Sequence, residues 1–322
     1  MKAIRIHQLG GAEVLQLEEI PVPEPGDTEV LIQVAVCGVN FIDVYYRTGL
    51  YKVPLPFTPG SEAAGVVAGV GDKVTEVQPG QRVAFAMTPG GYAEYVVVPA
   101  WRVVALPDAL PFDLGAAVLL QGMTAHYLTQ SVYPLKSGET CLVHAAAGGI
   151  GLMLVQMAAQ RGARVIGTVS TEAKAVLARA AGAAEVILYT QQDFEKEVKR
   201  LTAGRGVEVV YDAVGKTTWE KSMNCLRPRG YLVLFGQASG PVPPIDPLAL
   251  STKGSLFMTR ATLTHYTATR EELLWRANDV FSSVMQGRLN VRIHRILPLA
   301  EARRAHELLE SRQTTGKLLL RP

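Results

Sequence analysis

The stretch HAAAGGIG at residues 144–151 follows the apolar run TCLV (140–143) and gives up almost all side-chain bulk. Behind it comes the amphipathic segment GLMLVQMAAQRG (151–162). Strand, small-residue turn and helix form the opening of a βαβ unit. Glycine there allows a tight turn, lets backbone N–H groups approach a pyrophosphate and lets the helix pack closely on the strand. A phosphate at the helix N-terminus meets free donors and the positive end of the macrodipole. Taken alone, such a turn could be purely structural.

Its surroundings decide the reading. Downstream, strand-like ARVIGTVS (163–170), AEVILY (184–189), VEVVYDAVG (207–215) and YLVLFG (231–236) alternate with helix-like TEAKAVLARAAG (171–182), QDFEKEVKRLTAG (192–204) and TTWEKSMNCLRPRG (217–230). Nearly continuous apolar strands separated by helices predict a doubly wound parallel sheet, an α/β fold of the Rossmann type. Upstream, KAIRIHQ, EVLQLEEI, EVLIQVAVCGVN, AGVVAGVG, QRVAFA, YAEYVVVP and WRVVALP are short, β-branched or alternating, and punctuated by Gly and Pro. They predict a β-rich domain. From Leu114 the period turns helical, the loop ASGPVPPIDP (238–247) precedes a strand GSLFMTR (254–260), and helices near 270–286 and 299–313 precede a last strand GKLLLRP (316–322). The expected boundaries are 1–124, completed by 265–322, for the β-rich domain and 125–264 for the dinucleotide domain.

Composition removes several classes. The chain has 322 residues, 48% hydrophobic and 19% charged, with a net charge of +3 and no basic stripe, which argues against nucleic acid as a main partner. Cys37, Cys141 and Cys225 are scattered, so neither a disulfide framework nor a zinc knuckle is indicated, and a cytoplasmic setting is expected. No run approaches 18 apolar residues, so no membrane span is expected. The six histidines show no ligand or triad spacing, and His144, at a strand end, reads as a satisfied core residue.

The end of the second strand separates NAD from NADP. An NAD site usually places Asp or Glu about 20 residues beyond the glycines for the ribose 2′-OH. Ser170 stands there, followed by Thr171 and, one turn on, Lys174, which offer hydroxyls and a cation to a 2′-phosphate. Tyr189, ending the third strand, could reach the same group. In the plainer reading Ser170 caps a helix, Lys174 faces solvent and Glu172 keeps some acidity nearby. NADPH is the expected cofactor.

GVNFIDVYYRTGLY (38–51), PGSEAAGVV (59–67), AAAGGIG (145–151), GTVSTEAK (167–174), VYDAVG (210–215) and AHELLESRQTTGKLLL (305–320) together resemble the zinc-free, zeta-crystallin-like quinone oxidoreductases of the medium-chain dehydrogenase/reductase superfamily. The resemblance covers the whole chain and implies that the β-rich part is a GroES-like catalytic domain. Where the zinc-bearing branch places a Cys, a His and a third ligand, this chain has Asn40, Ser61-Glu62 and a residue near Gln121. None supplies a thiolate or imidazole, so no metal is expected. Cys37, three residues away, reads as a buried hydrophobe. Without a Lewis acid, the expected acceptor is one that takes hydride unaided, such as a quinone.

The same resemblance implies the site. Asn40 and Tyr45 become candidate donors to a quinone oxygen, with Tyr51 and Arg260 closing the pocket. Phe41, Ile42, Asp43, Val44 and Tyr45 would line the nicotinamide side, and Tyr127 would touch the cofactor. Gly149 and Ile150 would meet the pyrophosphate; Ser170, Thr171, Glu172, Ala173, Lys174 and Tyr189 would hold the adenosine ribose phosphate. Val214, Gly236, Gln237, Ala238 and Ser239 would follow from later strand ends, with Ala261, Thr262, Leu263 and Arg312 completing the set. Asn40 could instead cap a turn, and Arg312 could be only a helix C-terminal cation. A homodimer joined through edge strands around YLVLFGQ and GSLFMTR is implied as well. The competing functions are an NADPH-dependent reductase of activated alkenes and a non-catalytic, crystallin-like role in binding NADPH or RNA.

Overall fold

The computed structural model describes residues 1–322, which fold as two units, 1–123 with 266–322 and 124–265. The first unit begins with β1 (Lys2–Arg5) and β2 (Gln16–Glu19), an antiparallel pair, and β3 (Glu29–Val39) leads into the short helix α1 (Phe41–Arg47). β4 (Glu62–Val70), β5 (Arg82–Ala86), β6 (Tyr95–Pro99) and β7 (Val104–Ala105) follow, and α2 (Phe112–Tyr127) runs out of the unit. Helix α1 is not read from the sequence, because FIDVYYR is rich in β-branched and aromatic residues with weak helix propensity. Its start is fixed locally: the Asp43 carboxylate, at the third helical position, accepts the Asn40 N–H at 3.0 Å.

The second unit holds β8 (Thr140–Val143), α3 (Gly149–Gln160), β9 (Arg164–Val169), α4 (Glu172–Ala180), β10 (Glu185–Leu188), α5 (Phe194–Leu201), β11 (Val207–Asp212), α6 (Trp219–Asn224), β12 (Leu226–Leu234), α7 (Leu248–Thr252) and β13 (Phe257–Arg260). All strand pairs are parallel, in the order β10-β9-β8-β11-β12-β13, the doubly wound Rossmann arrangement. The buried set Leu142, Ile166, Val210, Leu232 and Leu234 forms its core. The fourth helix is shorter than its sequence suggested. It stops at Asn224, and LRPRG belongs to β12, where Leu226 pairs with Val207 and the register then shifts until Tyr231 pairs with Val209, because Pro228 lacks the N–H that a continuing helix would need.

The chain then returns to the first unit with α8 (Arg270–Met285), β14 (Ile293–Pro298), α9 (Ala302–Glu310) and β15 (Lys317–Arg321). β14, absent from the sequence reading, is an edge strand whose charges in RIHRILP hide its pattern. The seven-stranded sheet runs β14-β15-β3-β4-β5-β7, with β6 also on β3. β15 lies antiparallel to β3 with Leu318 opposite Val39 and Leu319 opposite Gly38, while on the other side Cys37 faces Ala63 of β4. This register brings Lys317, Asn40 and Glu62 to one end of three adjacent strands.

Candidate active site

At that end of the sheet lies a fully buried ion pair. The Lys317 ammonium donates to Glu62 Oε2 and, at 2.8 Å, to Asn40 Oδ1; Lys317 and Glu62 have no exposed surface. Asn40 Nδ2 donates to the same Glu62 oxygen at 3.0 Å and to the Gly38 carbonyl at 3.4 Å, and Leu120 N–H donates to Glu62 Oε1 at 2.6 Å. Gln121 Nε2 donates to Asn40 Oδ1 at 3.4 Å. Gly38 makes the arrangement possible, since a Cβ there would meet Glu62 Oε2, the Lys317 Cε at 2.7 Å and the Ala116 carbonyl at 2.8 Å. Gly38→Ala is therefore expected to destabilise the unit by about 1–3 kcal/mol through overpacking, read as a lower urea midpoint with unchanged m.

A zinc ion does not fit this set. Asn40, Glu62 and Gln121 bring one carboxylate and two amides but no thiolate or imidazole, and the ammonium already holds the oxygens a cation would take. The Asn40 amide is directed inward at the ion pair, so the sequence expectation of a donor aimed at a substrate is corrected: both of its donated bonds go to Glu62 and Gly38.

One turn along α1, Asp43 is a second buried centre. It has no exposed surface and accepts from Asn40 N–H, Ser61 N–H at 3.0 Å, Ser61 Oγ at 2.7 Å and Tyr92 Oη at 3.2 Å. Burial pushes its carboxyl up to about 6 in spite of these donors. Tyr92 continues to His306 Nε2 at 3.1 Å, and Arg47 Nη1 contacts His306 Nδ1 at 3.1 Å. Arginine can only donate, so Nδ1 is the acceptor and Nε2–H donates to Tyr92, whose hydroxyl is left to donate to Asp43. Burial, with the Arg47 charge second, lowers His306 to about 3. Asp43 and the largely buried Val44, expected to line the nicotinamide side, thus face the interior and hold α1 in place.

What α1 presents instead is aromatic. Tyr45 packs edge-on to Tyr51 with ring centroids 5.4 Å apart and lies 6.2 Å from Phe41, and Tyr46 packs against Tyr51 and Phe57. Phe41, Ile42, Tyr46 and Tyr51 are partly exposed while Tyr45 is buried, so the cluster offers an apolar surface of tilted and edge-on rings.

In the second unit, the residues expected at the cofactor gather at the carboxyl ends of the six parallel strands. Ala145 takes a left-handed φ of 52°, and Gly148 N-caps α3, whose first N–H groups, on Gly149, Ile150 and Gly151, lack acceptors within the helix. A Cβ on Gly151 would strike the Ala145 carbonyl and the Ala146 backbone, so only glycine lets the helix sit this close to the strand. Thr171, not Ser170, caps α4 by accepting from Lys174 N–H at 3.3 Å. Ser170 and the exposed Tyr189 directly follow the neighbouring strands β9 and β10, and Lys174 sits in the first turn of α4 with its amine lowered by burial, while the outward carboxylate of Glu172 pairs with Arg179. These residues fit a pyrophosphate and a further phosphate.

Val214, Ala238 and Ser239 are partly exposed and tied together: Val214 O accepts from Ser239 N–H and Oγ, and Ala213 O accepts from Ala238 N–H. Gly236 and Gln237 share this loop. Beneath it lies Asp212, which sequence reasoning passed over. Its carboxylate accepts from Val214 and Gly215 N–H, from Thr218 Oγ1 and from Ser222 Oγ, while His144 bridges Ser222 and Thr168, as a satisfied core residue does. An Asp closing an apolar strand before a small-residue turn was the available signal. Arg260 is exposed at the end of β13, Thr262 is partly exposed, and Ala261, Leu263 and Tyr127 are buried. Arg312 is exposed just beyond α9 with a left-handed φ of 59°, a position where glycine is usual.

Comparison with known proteins adds to this geometry. Residues 26–108 match a family described as the alcohol dehydrogenase GroES-like domain, and 149–278 one described as zinc-binding dehydrogenase. A quinone oxidoreductase of Pseudomonas aeruginosa is 47% identical over 100% of this chain and 99% of its own. A 2-haloacrylate reductase of a Burkholderia species is 42% identical over 98% of each chain. Among solved structures, the Escherichia coli quinone oxidoreductase complexed with NADPH matches with a TM-score of 0.98 and 43% identity, covering 100% of both chains.

Proposed function

Because the chain belongs to the zinc-independent quinone oxidoreductases of the medium-chain dehydrogenase/reductase superfamily, we propose how its residues divide the work of an NADPH-dependent quinone reductase. When bound, NADPH supplies a hydride, which needs no metal when the acceptor is as electrophilic as a quinone. The N–H groups of Gly149 and Ile150 hold the pyrophosphate at the start of α3. Ser170, Thr171, Lys174 and Tyr189, after β9 and β10, hold the 2′-phosphate; the Val214 and Gly236–Ser239 loops, after β11 and β12 on the other side of β8, hold another part of the cofactor, and Arg312 completes the set. Phe41, Tyr45 and Tyr51 stack against the quinone, and the Tyr45 and Tyr51 hydroxyls donate to the oxygen that becomes anionic. Arg260 adds positive charge, and water supplies the proton.

The observation that carries this reading is the buried Lys317–Glu62–Asn40–Gln121 cluster at the position where the zinc-bearing branch holds its metal. Its test is NADPH oxidation with 1,4-benzoquinone and 1,2-naphthoquinone, set against 2-chloroacrylate. Quinone turnover far above background is expected; turnover of the haloacrylate alone would transfer the protein to the alkene reductases, the reading that the Burkholderia relative favours.

The finer expectations are a reducing, cytoplasmic setting and a homodimer. Three buried free cysteines support the first, and no helix is long and apolar enough to cross a membrane. For the second, β13 is the outermost strand of its sheet, and Phe257, 50% exposed, stacks on Tyr231 at 4.5 Å, an apolar edge that needs cover. Phe257→Glu is expected to convert dimer into monomer in light scattering, with the fold intact by circular dichroism.

A further inference from the structure

The buried cluster fixes more than its own geometry. Lys317 can only donate, so the Asn40 atom facing it is the carbonyl oxygen; Glu62 can only accept, so the atom facing it is the amide nitrogen. With Asn40 so oriented, the Gln121 atom 3.4 Å from its oxygen must be the amino group. Gln121 therefore turns its own carbonyl away from the cluster. Gln121 is 8% exposed, and this Oε1 has no hydrogen-bond partner in the protein. A buried acceptor without a donor is rarely tolerated unless a bound group completes it.

We propose that Gln121 Oε1 is a binding position for an N–H or O–H donor carried by a ligand, and that Lys317 and Glu62 are positioning residues that set its polarity across Asn40. The proposal rests on the function given above, which offers two such donors: the carboxamide N–H of a nicotinamide and the O–H of a quinol. A quinone, which has only acceptors, would gain nothing there, so the position favours the reduced form of the acceptor or the cofactor's amide.

The test is equilibrium titration of the whole protein. One arm compares NADP⁺ with its 3-acetylpyridine analogue, in which a methyl replaces the amide nitrogen; the other compares hydroquinone with 1,4-dimethoxybenzene. In one arm the wild type should prefer the donor-bearing ligand about ten-fold, as one hydrogen bond to a buried acceptor predicts, and Gln121→Met, which keeps the volume, should abolish that preference. The arm that responds identifies the donor. The double variant Glu62→Gln/Lys317→Met removes both charges together and should also reduce the preference, because neither remaining partner dictates which way Asn40 points. Preferences unchanged by Gln121→Met in both arms overturn the binding position; an unchanged double variant overturns the positioning role. Absence of any NADP⁺ binding would instead refute the function itself and this inference with it.

Discussion

Lys174→Ala is expected to raise the Kd for NADPH about 100-fold while leaving that for NADH within about two-fold. A cation bonded to a phosphate contributes about 1.5–3 kcal/mol, and every 1.4 kcal/mol is ten-fold in affinity. Only NADPH carries the phosphate that Lys174 would meet, so the loss should be selective. Lys174 starts from a half-buried place in the first turn of α4, where burial already lowers its amine, and a phosphate would reverse that shift. Tryptophan or nucleotide fluorescence titration with both cofactors reads the ratio. Equal losses for the two would remove Lys174 from the 2′-phosphate site.

The second large effect is structural. Asp43→Ala should lower stability by on the order of 4 kcal/mol at pH 7, because the Asn40 and Ser61 N–H groups and the Ser61 and Tyr92 hydroxyls lose a buried acceptor together. The pH dependence has a defined sign. With a folded value near 6, above the unfolded carboxylate near 3.9, the protonated acid is the form the fold prefers. Its contribution is fully present below about pH 4 and is lost as pH rises through 6, amounting to about 3 kcal/mol. Denaturant midpoints measured between pH 4 and 7 should therefore fall with pH in the wild type relative to Asp43→Asn, which cannot ionise. Parallel curves for the two would contradict the buried, raised carboxyl.

The Rossmann unit was legible because its signals are local. A glycine turn, an amphipathic helix and an apolar strand each lie within a dozen residues, and the parallel sheet follows from their alternation. Ser170 and Lys174 could likewise be read from one strand end. The chemistry of the first unit was less legible. Asn40 and Gln121 were picked out by their place in a family pattern, but Lys317 and Glu62 are 255 residues apart and meet only through the register of β15 on β3 and β3 on β4. No periodicity marks a buried lysine that opens an apolar strand. Asp43 was placed with the residues facing the ligand by the family resemblance, which marks the segment 41–45 as a whole; the helix puts Asp43 inside while its neighbour Ile42 stays partly exposed. Pro228, which a continuing helix cannot accommodate, together with the pairing of Leu226 with Val207 on β11, ended α6 early, a non-local contact that the helical pattern did not reveal.

The central claim is that an ion pair and two amides stand where other branches of the superfamily hold zinc, and that quinone reduction proceeds without a metal. It is tested most directly by following NADPH oxidation with 1,4-benzoquinone in protein dialysed against 1,10-phenanthroline, with metal content measured on the same sample. The full rate at negligible zinc is the predicted result. A rate that falls with the zinc removed and returns when zinc is restored would contradict it.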